Sequence, residues 1–178
     1  MKQIKNESGT FTIDDNGVLK NYQSTADNQV AENVWRCLDI PEGVRVIPGG
    51  AFFRCEILER LTFPKSLRVI STGDPVYAGV FSQSKLPHVE LPNTLEELGY
   101  YAFASSTMRS VRIPKGPKSE YGRQFKESSI GTLYLPEEFR AENTHLGFCE
   151  KHEWGKEQYG YIRSMLVNNV EIGEIVFE

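Results

Sequence analysis

The 178-residue chain is poor in the residues that most chemistry requires. It has three cysteines, Cys37, Cys55 and Cys149, an odd and sparse set that makes no disulfide framework. It has three histidines, His88, His145 and His152, so few bases stand ready to activate a nucleophile. No apolar run approaches the roughly eighteen residues of a membrane span. A net charge of -4 argues against non-specific phosphate binding as the main task. There is no Walker motif and no dinucleotide fingerprint, and the carboxylates show no pairing across a cleft. The first residues lack the apolar stretch of a secretory leader. A cytoplasmic location is expected if Met1 is the natural start, and a surface or secreted one if a leader has been trimmed.

The remaining metal reading is weak, and the calcium reading fails on spacing. His145, Cys149 and His152 are spaced i, i+4 and i+7 but lack a fourth ligand, so no metal is assigned and cap packing is the plainer reading. Asp14-Asp15-Asn16-Gly17 does not keep the glycine and glutamate positions of an EF-hand loop. No cofactor is expected and no catalytic residue is proposed, so the chain is read as a non-enzyme.

What the sequence does hold is a repeat. Pro41, Pro64, Pro92, Pro114 and Pro136 are separated by 23, 28, 22 and 22 residues. The same apolar pattern precedes each one. The copies are Trp35, Leu38, Ile40; Leu58, Leu61, Phe63; Leu86, Val89, Leu91; Met108, Val111, Ile113; and Ile130, Leu133, Leu135. Alternating apolar positions predict a short strand with one buried face, and proline ends it because it cannot donate to a ladder. A phenylalanine recurs beyond the prolines at Phe52, Phe81, Phe103, Phe125 and Phe148. Cys55, Ser84, Ser106 and Ser128 follow the first four by three residues. An apolar pair also follows the proline at Val44/Ile47, Leu67/Ile70 and Leu95/Leu98, then fades where Pro117 and Phe139 intervene. No copy can bury its apolar side alone, but stacked copies share one core.

The strings Leu38-Asp39-Ile40-Pro41-Glu42-Gly43-Val44 and Leu91 through Phe103 resemble BspA-type leucine-rich repeats. The resemblance covers residues 35–148 and rests on proline standing just after the strand, where the commoner leucine-rich pattern has asparagine or cysteine. It implies a right-handed, β-rich repeat solenoid with one short strand per coil on an open sheet. It also implies a bacterial source and protein binding as the task.

The ends depart from the repeat. Thr10–Ile13 and Val18-Leu19 flank a strong turn, predicting a hairpin cap within residues 1–34. Tyr159, Ile162 and Leu166 have helical spacing, and Ile172 to Phe177 repeats the strand pattern. A helix-plus-strand cap over residues 149–178 is therefore expected, closing a single repeat domain of residues 1–178. Six extra residues around Ser71–Val76 form a surface loop, either a neutral length variant or a binding insertion.

Register assigns the outward side chains. Arg60 and Thr62, His88 and Glu90, Ser110 and Arg112, Thr132 and Tyr134 should form two ladders on one face, with Glu90 able to pair with Arg112. Mixed charge beside a tyrosine suits a partner protein, against the blander reading of a solvated sheet. The rival site is basic: Arg109, Arg112, Lys115, Lys118, Arg123 and Lys126 stand against Glu120 alone, which suits nucleic acid, a nucleoprotein or an acidic protein. Solvated charge is the default for that stretch. Cys37 is placed on the exposed side of the first strand, and Cys55 in a small structural slot. The chain is expected to act as a monomer, away from membranes.

Overall fold

The computed structural model describes residues 1–72, 79–114, 123–137 and 168–178. Three short antiparallel strands open the chain: β1 (Lys2–Lys5), β2 (Gly9–Ile13) and β3 (Leu19–Ser24). The expected hairpin is β2–β3, with β1 added to its outer edge. Its turn is built by Asp14, whose Oδ1 accepts the N–H groups of Asn16 and Val18 at 3.0 and 2.9 Å. Those bonds and a 3.1 Å ion pair to Lys20 occupy the carboxylate.

Then come β4 (Gln29–Ala31), β5 (Val34–Asp39), β6 (Val46–Ile47), β7 (Glu56–Thr62), β8 (Val69–Ile70), β9 (Lys85–Glu90), β10 (Glu97–Leu98), β11 (Thr107–Arg112), β12 (Ser129–Leu135) and β13 (Glu171–Phe177). The expected strand before each proline is present, and so is the terminal one. They form a seven-stranded open sheet in the order β13-β12-β11-β9-β7-β5-β4, parallel except for the β4–β5 pair. The apolar pairs after the prolines make a second, three-stranded parallel sheet, β10-β8-β6. Neither sheet closes into a barrel. Among the described residues the one helical element is a single 3-10 turn, Arg123–Phe125. The expected helix at 156–167, Phe148, Pro117, Phe139 and the loop residues 73–76 lie outside the described residues.

Between the sheets the core is layered by repeat. Leu38, Val89, Val111 and Leu133 stack from the first sheet, and Ile47, Ile70 and Leu98 from the second. Phe52, Phe81, Phe103 and Phe125 form a column of parallel rings, with centroids 5.3, 5.3 and 5.2 Å apart. Tyr22 and Trp35 extend that column edge-on toward the hairpin.

The serine slot has a polar role. Ser84 Oγ accepts the Cys55 N–H at 3.1 Å and donates to the Phe52 carbonyl at 3.2 Å. Ser106 Oγ does the same for the Ser84 N–H and the Phe81 carbonyl, at 3.1 and 2.6 Å. Ser84 and Ser106 thus satisfy buried backbone groups in the repeat before them, groups that are costly to leave unpaired, whereas Ser128 donates to the Phe125 carbonyl of its own turn at 2.6 Å. Cys55 comes first, with no earlier phenylalanine turn to satisfy, so a thiol suffices there. The residue before this slot is left-handed throughout: Arg54, Gln83, Ser105 and Glu127, with Asn169 at the matching place before β13. Asn169 thus leads into its strand through the same left-handed conformation.

One apolar assignment needs correction. Ile57, 3% exposed, fills the core position expected for Leu58, which is half-exposed. Three residues separate Trp35 from Leu38, but four separate their partners Ile57 and Leu61. The extra residue in β7 turns Leu58 off the core face.

Candidate functional site

The outward rows follow from parallel pairing. Residues Lys85–Glu90, Thr107–Arg112 and Ser129–Tyr134 lie side by side, so His88, Ser110, Thr132 and Glu174 form one row. Glu90, Arg112, Tyr134 and Val176 form the next. Six expected face residues, from His88 to Tyr134, are thus brought together in register. Glu174 and Val176, on the terminal strand, were missed; the repeated strand pattern at Ile172–Phe177 was the signal that pointed to them.

Chemistry along the rows is mostly satisfied internally. His88 Nδ1 meets Ser110 Oγ at 2.7 Å, and Ser110 is covered to 8% exposure although it lies on the outward row. Arg112 lies over the Tyr134 ring, its Cζ 4.7 Å from the centroid, and forms its ion pair with Glu178. It does not take Glu90 as its ion-pair partner; the carboxylate comes from Glu178, two residues past Val176, where the parallel β12–β13 ladder continues with the Glu178 N–H on the Leu135 carbonyl at 3.0 Å. Nearer the hairpin, Arg60 grips Asp39 with two bonds of 2.8 and 2.6 Å, and Thr62 donates to the same carboxylate at 2.9 Å. Arg60, first among the causes, holds the Asp39 carboxyl below its usual range.

A row of bare backbone runs beside these side chains. A Cβ at Gly131 would fall 2.5 Å from the Arg109 carbonyl, and one at Gly173 would fall 2.6 Å from that of Gly131. Close approach of neighbouring strands thus requires glycine at both places. The surface next to Thr132 and Glu174 is consequently flat.

The ladder is interrupted between β7 and β9. Their one register pair is Glu56–Lys85. Ile40, Leu91 and Ile113 each donate an N–H to the next strand, at 3.1, 3.2 and 3.0 Å, but among the described residues the equivalent Phe63 N–H makes no such bond to Glu90. Two local causes are evident. β7 carries its extra residue, and Pro87 in β9 has no N–H to give. At the ends of these strands lies an open groove of about 620 Å³, with Leu61, Phe63, Leu91, Pro92, Ile113 and Pro114 among its lining residues. Thr62, Lys65, Glu90, Arg112 and Glu178 line it as well, so its wall is mixed apolar and charged.

The four described cations of the basic stretch divide between two elements. Arg109 and Arg112 are on β11, whereas Arg123 and Lys126 are in the turn before β12. There Arg123 sits over Tyr100 at 5.4 Å and Lys126 over Tyr101 at 6.0 Å. Lys115 and Lys118 lie outside the described residues, as do His145, Cys149 and His152. Among the described residues there is no cluster of three His, Cys, Asp or Glu able to hold a metal. No described helix is long and apolar enough to cross a membrane.

Both described thiols have raised pKa values. Burial pushes Cys55 up to about 12. Cys37 is half-buried rather than exposed; burial raises its pKa, and its Sγ lies 3.9 Å from Glu59 Oε2. Asn28 covers its backbone, accepting the Cys37 N–H and donating to the Cys37 carbonyl, each at 2.8 Å.

A family model described as the BspA type leucine rich repeat region matches residues 31–146, in six copies. No curated protein and no solved structure matches the chain. β13, at Glu171–Phe177, lies beyond the matched segment yet pairs in register with β12.

Proposed function

Because the chain belongs to the BspA-type leucine-rich repeat family, we propose that it is a non-enzymatic module that binds a partner protein on the outward face of its seven-stranded sheet. The family is one of interaction modules. The carrying observation is the in-register row Glu90, Arg112, Tyr134, in which Arg112 is already immobilised over the ring and by Glu178. A side chain fixed before binding loses less entropy on binding. Arginine and tyrosine are the types most often found at the energetic centres of interfaces. Arg60, Thr62, His88, Ser110 and Thr132 complete the surface, with Ser110 acting through His88.

In this reading the array is a right-handed solenoid and one domain. Residues 1–34 cap one end, 35–148 carry the repeats, and 149–178 cap the other. The three-stranded hairpin sheet against Trp35 and the pairing of β13 support the caps. The module acts as a monomer. The nucleic-acid alternative through Arg109, Arg112, Lys115, Lys118, Arg123 and Lys126 draws less support, since the four described cations divide between a strand and a turn.

Site-specific photocrosslinking tests this. A benzophenone amino acid at Thr132, in the native cell extract, is expected to give one discrete protein adduct. The same group at Lys126 is expected to give none. An adduct at Lys126 with none at Thr132 contradicts the assignment.

A further inference from the structure

We propose that the partner protein sets a carboxylate on Arg109 and a basic side chain on Glu174, about 10 Å apart across β12. This deepens the sheet-face reading and rests on it. The strands of the seven-stranded sheet carry the cations Arg36, Arg60, Lys85, Arg109 and Arg112. All but Arg109 already have a carboxylate. Arg36 lies 3.2 Å from Glu59, Arg60 2.6 Å from Asp39 and Lys85 3.2 Å from Glu56, and Arg112 pairs with Glu178. Arg109 is exposed and makes no ion pair among the described residues.

Register explains why Arg109 is left over. It lies between Met108 and Ser110, whose β12 partners are Ile130 and Thr132, so the next places in its row are Gly131 and Gly173. Neither has a side chain to offer it. Pro87, on the β9 side, carries no charge. The first carboxylates past the glycines are Glu171 and Glu174, both exposed and without an ion pair among the described residues. Glu174, one residue off the row, is the nearer. Two strand spacings, about 10 Å, is close to the Debye length in physiological salt, so these charges do little to neutralise each other. Glu90 is less isolated, since Arg112 stands beside it in its own row.

A partner that answered the paired cations would displace carboxylates already in place. One that answers Arg109 and Glu174 displaces only water and small ions. Complementary charge at those two places selects the partner and sets its orientation across the sheet. The bare backbone of Gly131 and Gly173 leaves the path between them unobstructed.

The Thr132 photocrosslink in native cell extract reads this out. Arg109→Glu and Glu174→Lys are each expected to lower the adduct at least fivefold at about 0.1 M salt, with unchanged urea midpoints. At about 1 M salt, where the Debye length is about 3 Å, each should come within twofold of the unsubstituted chain. Lys2→Glu, on the hairpin, should stay within twofold throughout. A water-soluble carbodiimide added to the Arg109→Lys chain is expected to join position 109 to an aspartate or glutamate of the same adduct protein. An unchanged adduct in either reversal, a loss that persists in high salt, or no coupling at position 109 would each overturn the charge assignment while leaving the sheet-face reading standing. Absence of the Thr132 adduct from the unsubstituted chain would overturn both.

Discussion

The hydroxyl of Ser106 donates to the carbonyl of Phe81 over 2.6 Å, so a side chain of one repeat completes the turn of the repeat before it. The same oxygen accepts the Ser84 N–H at 3.1 Å. Cohesion along the array therefore includes a polar column beside the apolar one.

Replacing Ser106 by alanine strands a buried N–H and a buried carbonyl. A loss of about 2–4 kcal/mol is expected from two such groups, read from urea unfolding. Cys55→Ser, at the slot with no earlier turn to satisfy, is expected to change stability by less than about 1 kcal/mol. Equal losses at the two positions would contradict the column.

Phe103 lies between Phe81 and Phe125 in the ring stack and is fully buried. Phe103→Ala should cost on the order of 3–5 kcal/mol. Phe53→Ala, at a half-exposed position, serves as the control and should cost far less. A Phe103 effect no larger than the control would show that the repeats are misaligned.

Asp39 gives a pH dependence whose sign is fixed. Its folded pKa is held below the ordinary 3.8 by Arg60 and Thr62, so it stabilises the fold above that value and loses the contribution as pH falls through the folded pKa. Asp39→Asn is therefore expected to lower stability by about 1 kcal/mol at pH 7. The gap to the unsubstituted chain should narrow below pH 3.8. Unfolding midpoints measured across that range check it; a gap that widens in acid contradicts it.

Much of this was legible in the sequence because the repeat is written in residues whose physics allows few alternatives. Proline after each strand and phenylalanine in each turn fixed the phase, and four of the five apolar triplets stand as expected. Leu58 failed because a one-residue bulge has no signature when Ile57 and Leu58 are both apolar. Arg112 found Glu178 rather than Glu90 because the expected rows stopped at Tyr134 and left out β13, whose register brings Glu178 alongside. The apolar pair fades in the fourth repeat. There the Gln124 side-chain amide donates to the Leu98 carbonyl at 3.1 Å, where backbone N–H groups of Ser71 and Gly99 serve the earlier repeats. A buried glutamine in that role carries no periodic signal.

The terminal strand is the next test. Residues 168–178 supply β13, and their removal exposes Ile130, Leu133 and Leu135 of β12 along that edge. Chains truncated there are expected to aggregate, since end repeats shield a stacked core. Light scattering that shows a soluble monomer of unchanged stability would refute this role.

The most direct measurement is calorimetry with the partner identified by crosslinking at Thr132. Arg112→Ala with Tyr134→Ala is predicted to weaken binding by more than about 2 kcal/mol, roughly thirtyfold, with folding nearly intact. Arg123→Ala with Lys126→Ala is predicted to leave the affinity within about twofold. Loss in the Arg123/Lys126 pair, with none in the Arg112/Tyr134 pair, would contradict binding through the sheet face.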